Sequence, residues 1–129
     1  MKYATGTQIS EQETRLEVLR LLVRNGCRNA EAGLNAAKHG VSKFEVAGRK
    51  VRMLLSLPDE GPFGTGNERA RRWRVLLLLL KAKLEAVDSG ISTVDTEFMA
   101  HIAMPNGQTA GEIMAPQISE AYQLTGRTR

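Results

Sequence analysis

The chain has 129 residues, a formal charge of +4, 42% hydrophobic residues and 25% charged residues, which predicts one domain over residues 1–129. Its single cysteine, Cys27, excludes an intramolecular disulfide and a cysteine-rich zinc site. The apolar run at residues 75–80 is far shorter than the ~20 residues of a membrane helix, and no apolar signal segment precedes it. We therefore expect a soluble, cytoplasmic protein that makes no membrane contacts.

A first helix is predicted after Ser10. Ser10 and Glu13 have the spacing of a capping box, in which two side chains satisfy free backbone amides at a helix start. Asn25-Gly26 indicates a left-handed stop at the other end. Between these signals, apolar residues recur at helical spacing: Leu16, Leu19, Leu22 and Val23.

Residues 27–40 leave two alternatives open. Their four alanines favour a helix, whereas Gly33 and Gly40 favour a strand and a loop.

Residues 41–57 change to a period of two, which predicts an antiparallel hairpin. A two-residue turn at Ala47-Gly48 places Phe44 opposite Val51 and Lys43 opposite Arg52. One face of the hairpin is then apolar, as a half-buried sheet requires. That face carries Phe44, Val46, Val51, Met53, Leu55 and Leu57, and the outer face carries Lys43, Glu45, Lys50 and Arg52.

A loop is predicted at residues 58–66, followed by a long central helix at about residues 67–89 that ends at Gly90. Four arginines, at positions 69, 71, 72 and 74, fall in the first turns of this helix. They oppose the positive end of the helix dipole, so other groups must compensate them.

The apolar arc of this helix is wider than a one-sided surface helix needs. Trp73, Leu76, Leu77, Leu80, Leu84 and Val87 line one face, and Val75, Leu79, Ala82 and Ala86 extend it. Either two layers of this chain pack on the helix or a second subunit does.

Two short helices are predicted at the C-terminal end. Ser92 or Thr93 starts the first, and Thr109 with Glu112 repeats the capping-box pattern ahead of the second. Pro116 is expected to divide or kink the second helix. The predicted fold class is therefore α+β: an N-terminal helix, a small antiparallel sheet, a long central helix and two short helices.

The second half of the chain resembles a family of small uncharacterised bacterial proteins that occur in phage and mobile-element settings. The resemblance rests on RRWRVLLLLLKAKLEAVDSGIST at residues 71–93, EFMAHIAMPNGQTAGE at 97–112 and APQISEAY at 115–122. It implies a compact protein of mobile-element type. No activity is assigned to that family, so the resemblance implies no site residues.

Candidate catalytic and metal-binding residues are sparse. His39 and His101 belong to no metal-ligand spacing, and Asp95 and Glu97 cannot share a helix face. Cys27, although next to Arg28, follows a helix end and is more typical of a structural residue. The glycine-rich residues 61–66 lack the GK[ST] of a phosphate loop. We expect neither enzyme activity, nor a cofactor, nor a bound metal.

The leading functional hypothesis is backbone-directed binding of DNA or RNA. The predicted contacts are five basic residues on solvated faces: Lys43, Lys50, Arg52, Arg71 and Arg74. Phe44 and Trp73 fall on predicted core faces and offer no aromatic surface on which bases could stack. Any binding should therefore depend on phosphate contacts and be sensitive to salt. The alternative is a solvated face whose arginines are neutralised by Asp59, Glu60 and Glu68.

The competing hypothesis is a protein-interaction module. The wide apolar arc and the C-terminal methionines Met99, Met104 and Met114 could form a homodimer or bind a partner, because methionine surfaces adapt to varied shapes. In a mobile element such an accessory protein could modulate a replication, recombination or host-defence protein.

Overall fold

The computed structural model describes the backbone of residues 2–59 and 65–127 and the side chains of residues 11–59 and 68–126. Its elements run in the order α1 (Lys2–Arg24), β1 (Arg28–Leu34), β2 (Gly40–Val46), β3 (Arg49–Leu55), α2 (Thr65–Asp88), α3 (Val94–Phe98), a 3-10 turn (Met99–His101) and α4 (Ala110–Arg127). The strands form an antiparallel sheet in the order β1-β2-β3. The predicted α+β class is confirmed.

The helix start predicted at Ser10 is wrong, because α1 already begins at Lys2 and Ser10 lies inside it. A capping-box spacing permits a helix to start but does not prevent one from extending further. The predicted end is confirmed. Gly26 adopts a left-handed φ of 76°, and the amide of Cys27 donates to the carbonyl of Leu22.

Residues 27–40 form strand β1 and a turn, which decides between the two alternatives. Ala30 and Ala32 pack against the core from β1, so two of the four alanines fill a sheet face, and none is in a helix. The register shifts between Arg28 and Glu31, which marks a bulge. In the turn, the Asn35 side chain accepts hydrogen bonds from the amides of Ala37 and His39.

The predicted hairpin register is confirmed in every pair from Lys43↔Arg52 to Val46↔Arg49. Ala47 and Gly48 have φ values of 50° and 73°, the backbone that a two-residue type I′ turn requires. The predicted apolar face is the inner face: Phe44, Val51, Met53 and Leu57 are buried, and Val46 and Leu55 pack against them.

Helices α1 and α2 cover the inner face of the sheet. Val18, Leu21 and Leu22 of α1 share the core with the α2 residues Trp73, Leu76, Leu77, Leu80 and Leu84. Both helices run in the same direction, since Glu11 contacts Arg69 and, further along both helices, Leu21 lies beside Leu84. Trp73 is fully buried against Gly40, where an added Cβ would lie 2.8 Å from Trp73 Cζ2.

The predicted starts of the two C-terminal helices are confirmed. Thr93 caps α3 by accepting a hydrogen bond from the amide of Thr96 at 3.1 Å. Thr109 and Glu112 form the reciprocal capping box of α4, with bonds of 3.1 and 3.2 Å to each other's amides. Pro116 does not divide α4, which continues to Arg127.

A buried ion pair ties the first turns of α2 to α1. The Arg69 guanidinium donates to both carboxylate oxygens of Glu11, at 3.1 and 3.2 Å, and to the carbonyl of Pro58 at 2.7 Å. Arg69 is 1% exposed and Glu11 8%. This contact supplies part of the compensation that the arginine-rich start of α2 requires.

We predict that Arg69→Met destabilises the protein by about 3–5 kcal/mol, because it leaves the Glu11 carboxylate buried without its cation. The Glu11→Met/Arg69→Met double variant should lose less than the sum of the two single variants. Urea unfolding of the four proteins measures this coupling. Additive losses would show that the two charges do not depend on each other.

Candidate interaction surfaces

The outer face of the sheet holds three of the predicted phosphate contacts, and they have acidic neighbours. Lys43 lies between Glu31 on β1 and Arg52 on β3. Arg52 donates to the Glu112 carboxylate at 2.9 Å and to the Gly107 carbonyl at 3.1 Å. The predicted neighbours Lys43 and Arg52 are therefore not an isolated pair of like charges, since Glu31 and Glu112, which are distant in the chain, lie beside them.

Lys50, the third contact on this face, lies opposite Glu45. Glu45 also accepts a hydrogen bond from the Asn29 side chain. Two shallow hollows of about 300 and 250 Å³ share Glu31, Lys43 and Arg52 in their walls. The face thus carries alternating charges around small depressions and not a continuous positive surface.

Arg71 and Arg72 of α2, like Arg69, have an acidic partner within the chain. Glu68 accepts from Arg71 at 3.2 Å and from Arg72 at 3.0 Å. The hydrogen bond from Arg72, together with the charge of Arg71, lowers the pKa of Glu68. Arg72 also donates to the Ser56 carbonyl, and Arg74 makes a contact of its own.

The prediction that Glu68 neutralises arginines of α2 is confirmed, since it pairs with Arg71 and Arg72. Arg69 binds Glu11 and the Pro58 carbonyl, whereas the sequence favoured Asp59 and Glu60 as partners of this arginine group. Glu60 and the glycine-rich residues 61–64 lie outside the described residues. Arg71 is thus paired with Glu68, and Arg74 has an interaction of its own.

The titratable groups considered for catalysis are dispersed and mostly engaged. Burial raises the pKa of the Cys27 thiol, so Arg28 does not activate it. Burial, with the charge of Lys83, lowers the pKa of His101. Asp95 forms a two-bond pair with Arg49, which lowers its pKa. Among the described side chains, no three His, Cys, Asp or Glu residues could hold a metal ion.

Helix α2 has a second apolar stripe opposite its core face, and no described part of the chain covers it. Val75, Leu78 and Leu79 are 52%, 64% and 42% exposed, and Ala82 is exposed as well. We call Val75, Leu78, Leu79 and Ala82 the outer stripe. At one end a groove of about 500 Å³ runs between α2 and α1, with Leu21 and Asn25 in its far wall. The sheet and α1 therefore cover the Trp73 face of the wide apolar arc of α2 and leave the outer stripe exposed.

Helix α4 is anchored at its first turn and is exposed beyond it. Glu112 joins the capping box to Arg52, and Gly111 lies against the Ala100 carbonyl, where an added Cβ would come within 2.7 Å. From residue 114 to residue 126 every side chain is exposed. Met114, Ile118 and Tyr122 recur at intervals of four and form one apolar face, which Ala121 and Leu124 widen.

Two features of these surfaces were missed by sequence reasoning. The partner of Arg69 lies 58 residues away in the chain, and no local pattern identifies it. The second feature is the exposure of α4 from residue 114 to residue 126, which depends on how this helix lies relative to the rest of the fold. A weak signal was available: residues 114–126 contain one proline and several polar residues beside few large apolar ones.

Comparison of the chain with protein-family models, with curated proteins and with solved structures gives no match. The resemblance to small mobile-element proteins therefore remains a prediction. Of the helices that the structure describes, none combines the length and the apolar character needed to cross a bilayer.

Proposed function

We propose that the protein is a non-enzymatic interaction module that inserts the apolar face of α4 into a groove of another protein. The observation that supports this most is the exposure of every side chain from residue 114 to residue 126 on a helix with one apolar face. In water an isolated helix of this length is marginal, and most helices are stabilised by packing such a face. A partner groove would supply that packing.

The chemistry of α4 indicates what kind of groove it fits. Met114, Ile118 and Tyr122 are large anchors at the spacing that helix-in-groove recognition uses. Glu120 is the only charged residue between Met114 and Leu124, so the groove should be apolar with few charges on its rim. The flexible Met114 can adapt to the shape of the groove. An accessory protein of a mobile element would use such an arm to modulate a larger protein.

Nucleic-acid binding is the second candidate. It is favoured by the formal charge of +4 and by Lys43 and Lys50, which are exposed beside the hollows of the sheet. Against it stand the contacts of Arg52 and Arg71 with Glu112 and Glu68. Any such binding would have to share these basic groups with internal partners.

The α4 proposal predicts that Ile118→Lys weakens partner binding by at least about 2 kcal/mol, roughly thirtyfold, because it places a charge in the centre of the anchor face. The matched control is Ser119→Lys, which adds the same charge about 100° around the helix from Ile118, outside the line of the three anchors. Wild-type protein and both variants would be used to recover partners from the native host, with protein and nucleic acid scored separately. The recovered protein is then titrated in purified form.

Both variants should keep the far-ultraviolet circular dichroism of the wild type, since Ile118 and Ser119 are exposed. Equal binding by Ile118→Lys and Ser119→Lys would contradict the role of the α4 face.

For the second candidate, we predict that replacing Lys43, Lys50, Arg71 and Arg74 by glutamine weakens binding to unrelated DNA or RNA sequences to the same extent. Each lost phosphate contact should reduce the slope of log affinity against log salt by about 0.9 for duplex DNA. Arg52 is kept because it holds Glu112 and Gly107. Titration at several salt concentrations measures the slope. Wild-type protein that binds nothing at low salt would eliminate this candidate.

A further inference from the structure

The outer stripe of α2 is a second apolar surface that the α4 proposal does not use. It lies on the opposite side of the helix from Trp73 and Leu80, both fully buried. Val75, Leu78, Leu79 and Ala82 have the i, i+3, i+4, i+7 spacing that a second helix can pack against. Three of them are large and one is small, so the stripe is uneven along its length.

We propose that the outer stripe pairs with the outer stripe of a second copy of this chain, with the two α2 helices antiparallel. The two-fold axis of this dimer passes between Leu78 and Leu79. A dimer with two-fold symmetry uses the same patch on both copies, so the patch must complement itself. In this register Val75 of each copy lies level with Ala82 of the other, and the small alanine leaves room for the larger valine.

The charges beside the stripe favour this direction. With a rise of 1.5 Å per residue, Glu85 lies about 10 Å beyond the axis, and Arg71 and Arg74 lie about 11 and 7 Å before it. Arg74 and Glu85 border the stripe on the same side of α2. This side faces the groove between α2 and α1, which Glu85 lines. Antiparallel pairing therefore places Glu85 of one copy level with the gap between Arg71 and Arg74 of the other.

A parallel pair loses the match between the large and the small side chain, because Val75 would lie level with Val75 of the other copy and Ala82 with Ala82. Glu85 would lie level with Glu85 of the other copy and about 17 Å along the axis from Arg74.

Cysteine cross-linking tests both the pairing and its direction. In the antiparallel dimer the Leu78→Cys variant places its two thiols beside the axis, and mild oxidation should give a covalent dimer. The Glu85→Cys variant places its thiols about 20 Å apart along the axis and should not cross-link. The unmodified chain, whose Cys27 is buried, is the control. Sedimentation of the unmodified chain in the micromolar range should give twice the mass of 14.2 kDa.

A charge substitution provides an independent readout. Leu78→Lys should weaken self-association at least tenfold, whereas Leu54→Lys, on an exposed residue of the outer sheet face, should not. A monomer throughout the micromolar range would overturn the proposal. Cross-linking at residue 85, or a dimer without cross-linking at residue 78, would overturn the antiparallel register. Ile118→Lys should leave the dimer intact, so this test fails or succeeds separately from the α4 proposal.

Discussion

The packing of Trp73 against Gly40 is the constraint on which the rest of the structure depends. The indole is fully buried, and its ring lies so close to the β2 backbone that only a residue without a side chain fits at position 40. This contact sets the rotation of α2 on the sheet. Leu76, Leu80 and Leu84 then face the core with the α1 residues, and Val75, Leu78 and Leu79 face away from it. The outer stripe is exposed because Trp73 points inward.

Three arginines hold elements of the fold together. Arg69 joins α2 to α1, Arg52 joins β3 to α4, and Arg49 joins β3 to α3. The burial of the Arg69–Glu11 pair distinguishes it from exposed pairs such as Arg49–Asp95, which contribute little. Because these arginines have internal roles, the apolar faces of α2 and α4 are the stronger candidates for recognition.

Local patterns predicted the parts of the fold that local physics determines. The period of two and the Ala47-Gly48 turn determine the hairpin register, since a shift of one residue would move Phe44 and Val51 to the outer face. The capping box of Thr109 and Glu112 and the stop at Gly26 are likewise local. The start of α1 was predicted wrongly because nothing in residues 2–9 forbids a helix.

The candidate sites depend on contacts between distant segments, and for that reason the sequence predicted them less well. The five basic residues were predicted from their charge and their solvated faces, whereas Glu31 and Glu112, which lie beside Lys43 and Arg52, belong to other elements of the fold. The width of the α2 arc was visible in the sequence. Which half of it is covered depends on the rotation that Trp73 and Gly40 impose.

The position of Trp73 can be measured directly, because it is the only tryptophan of the chain. In Gly40→Ala the new methyl group would lie 2.8 Å from Trp73 Cζ2 and 3.1 Å from Leu55 Cβ, so the ring must move. We expect a loss of about 1–3 kcal/mol and a red shift of the tryptophan emission. Gly33→Ala, where an added Cβ meets nothing within 4 Å, is the control and should leave the emission unchanged. A Gly40→Ala protein with the emission and stability of Gly33→Ala would contradict the proposed seating of α2 on the sheet.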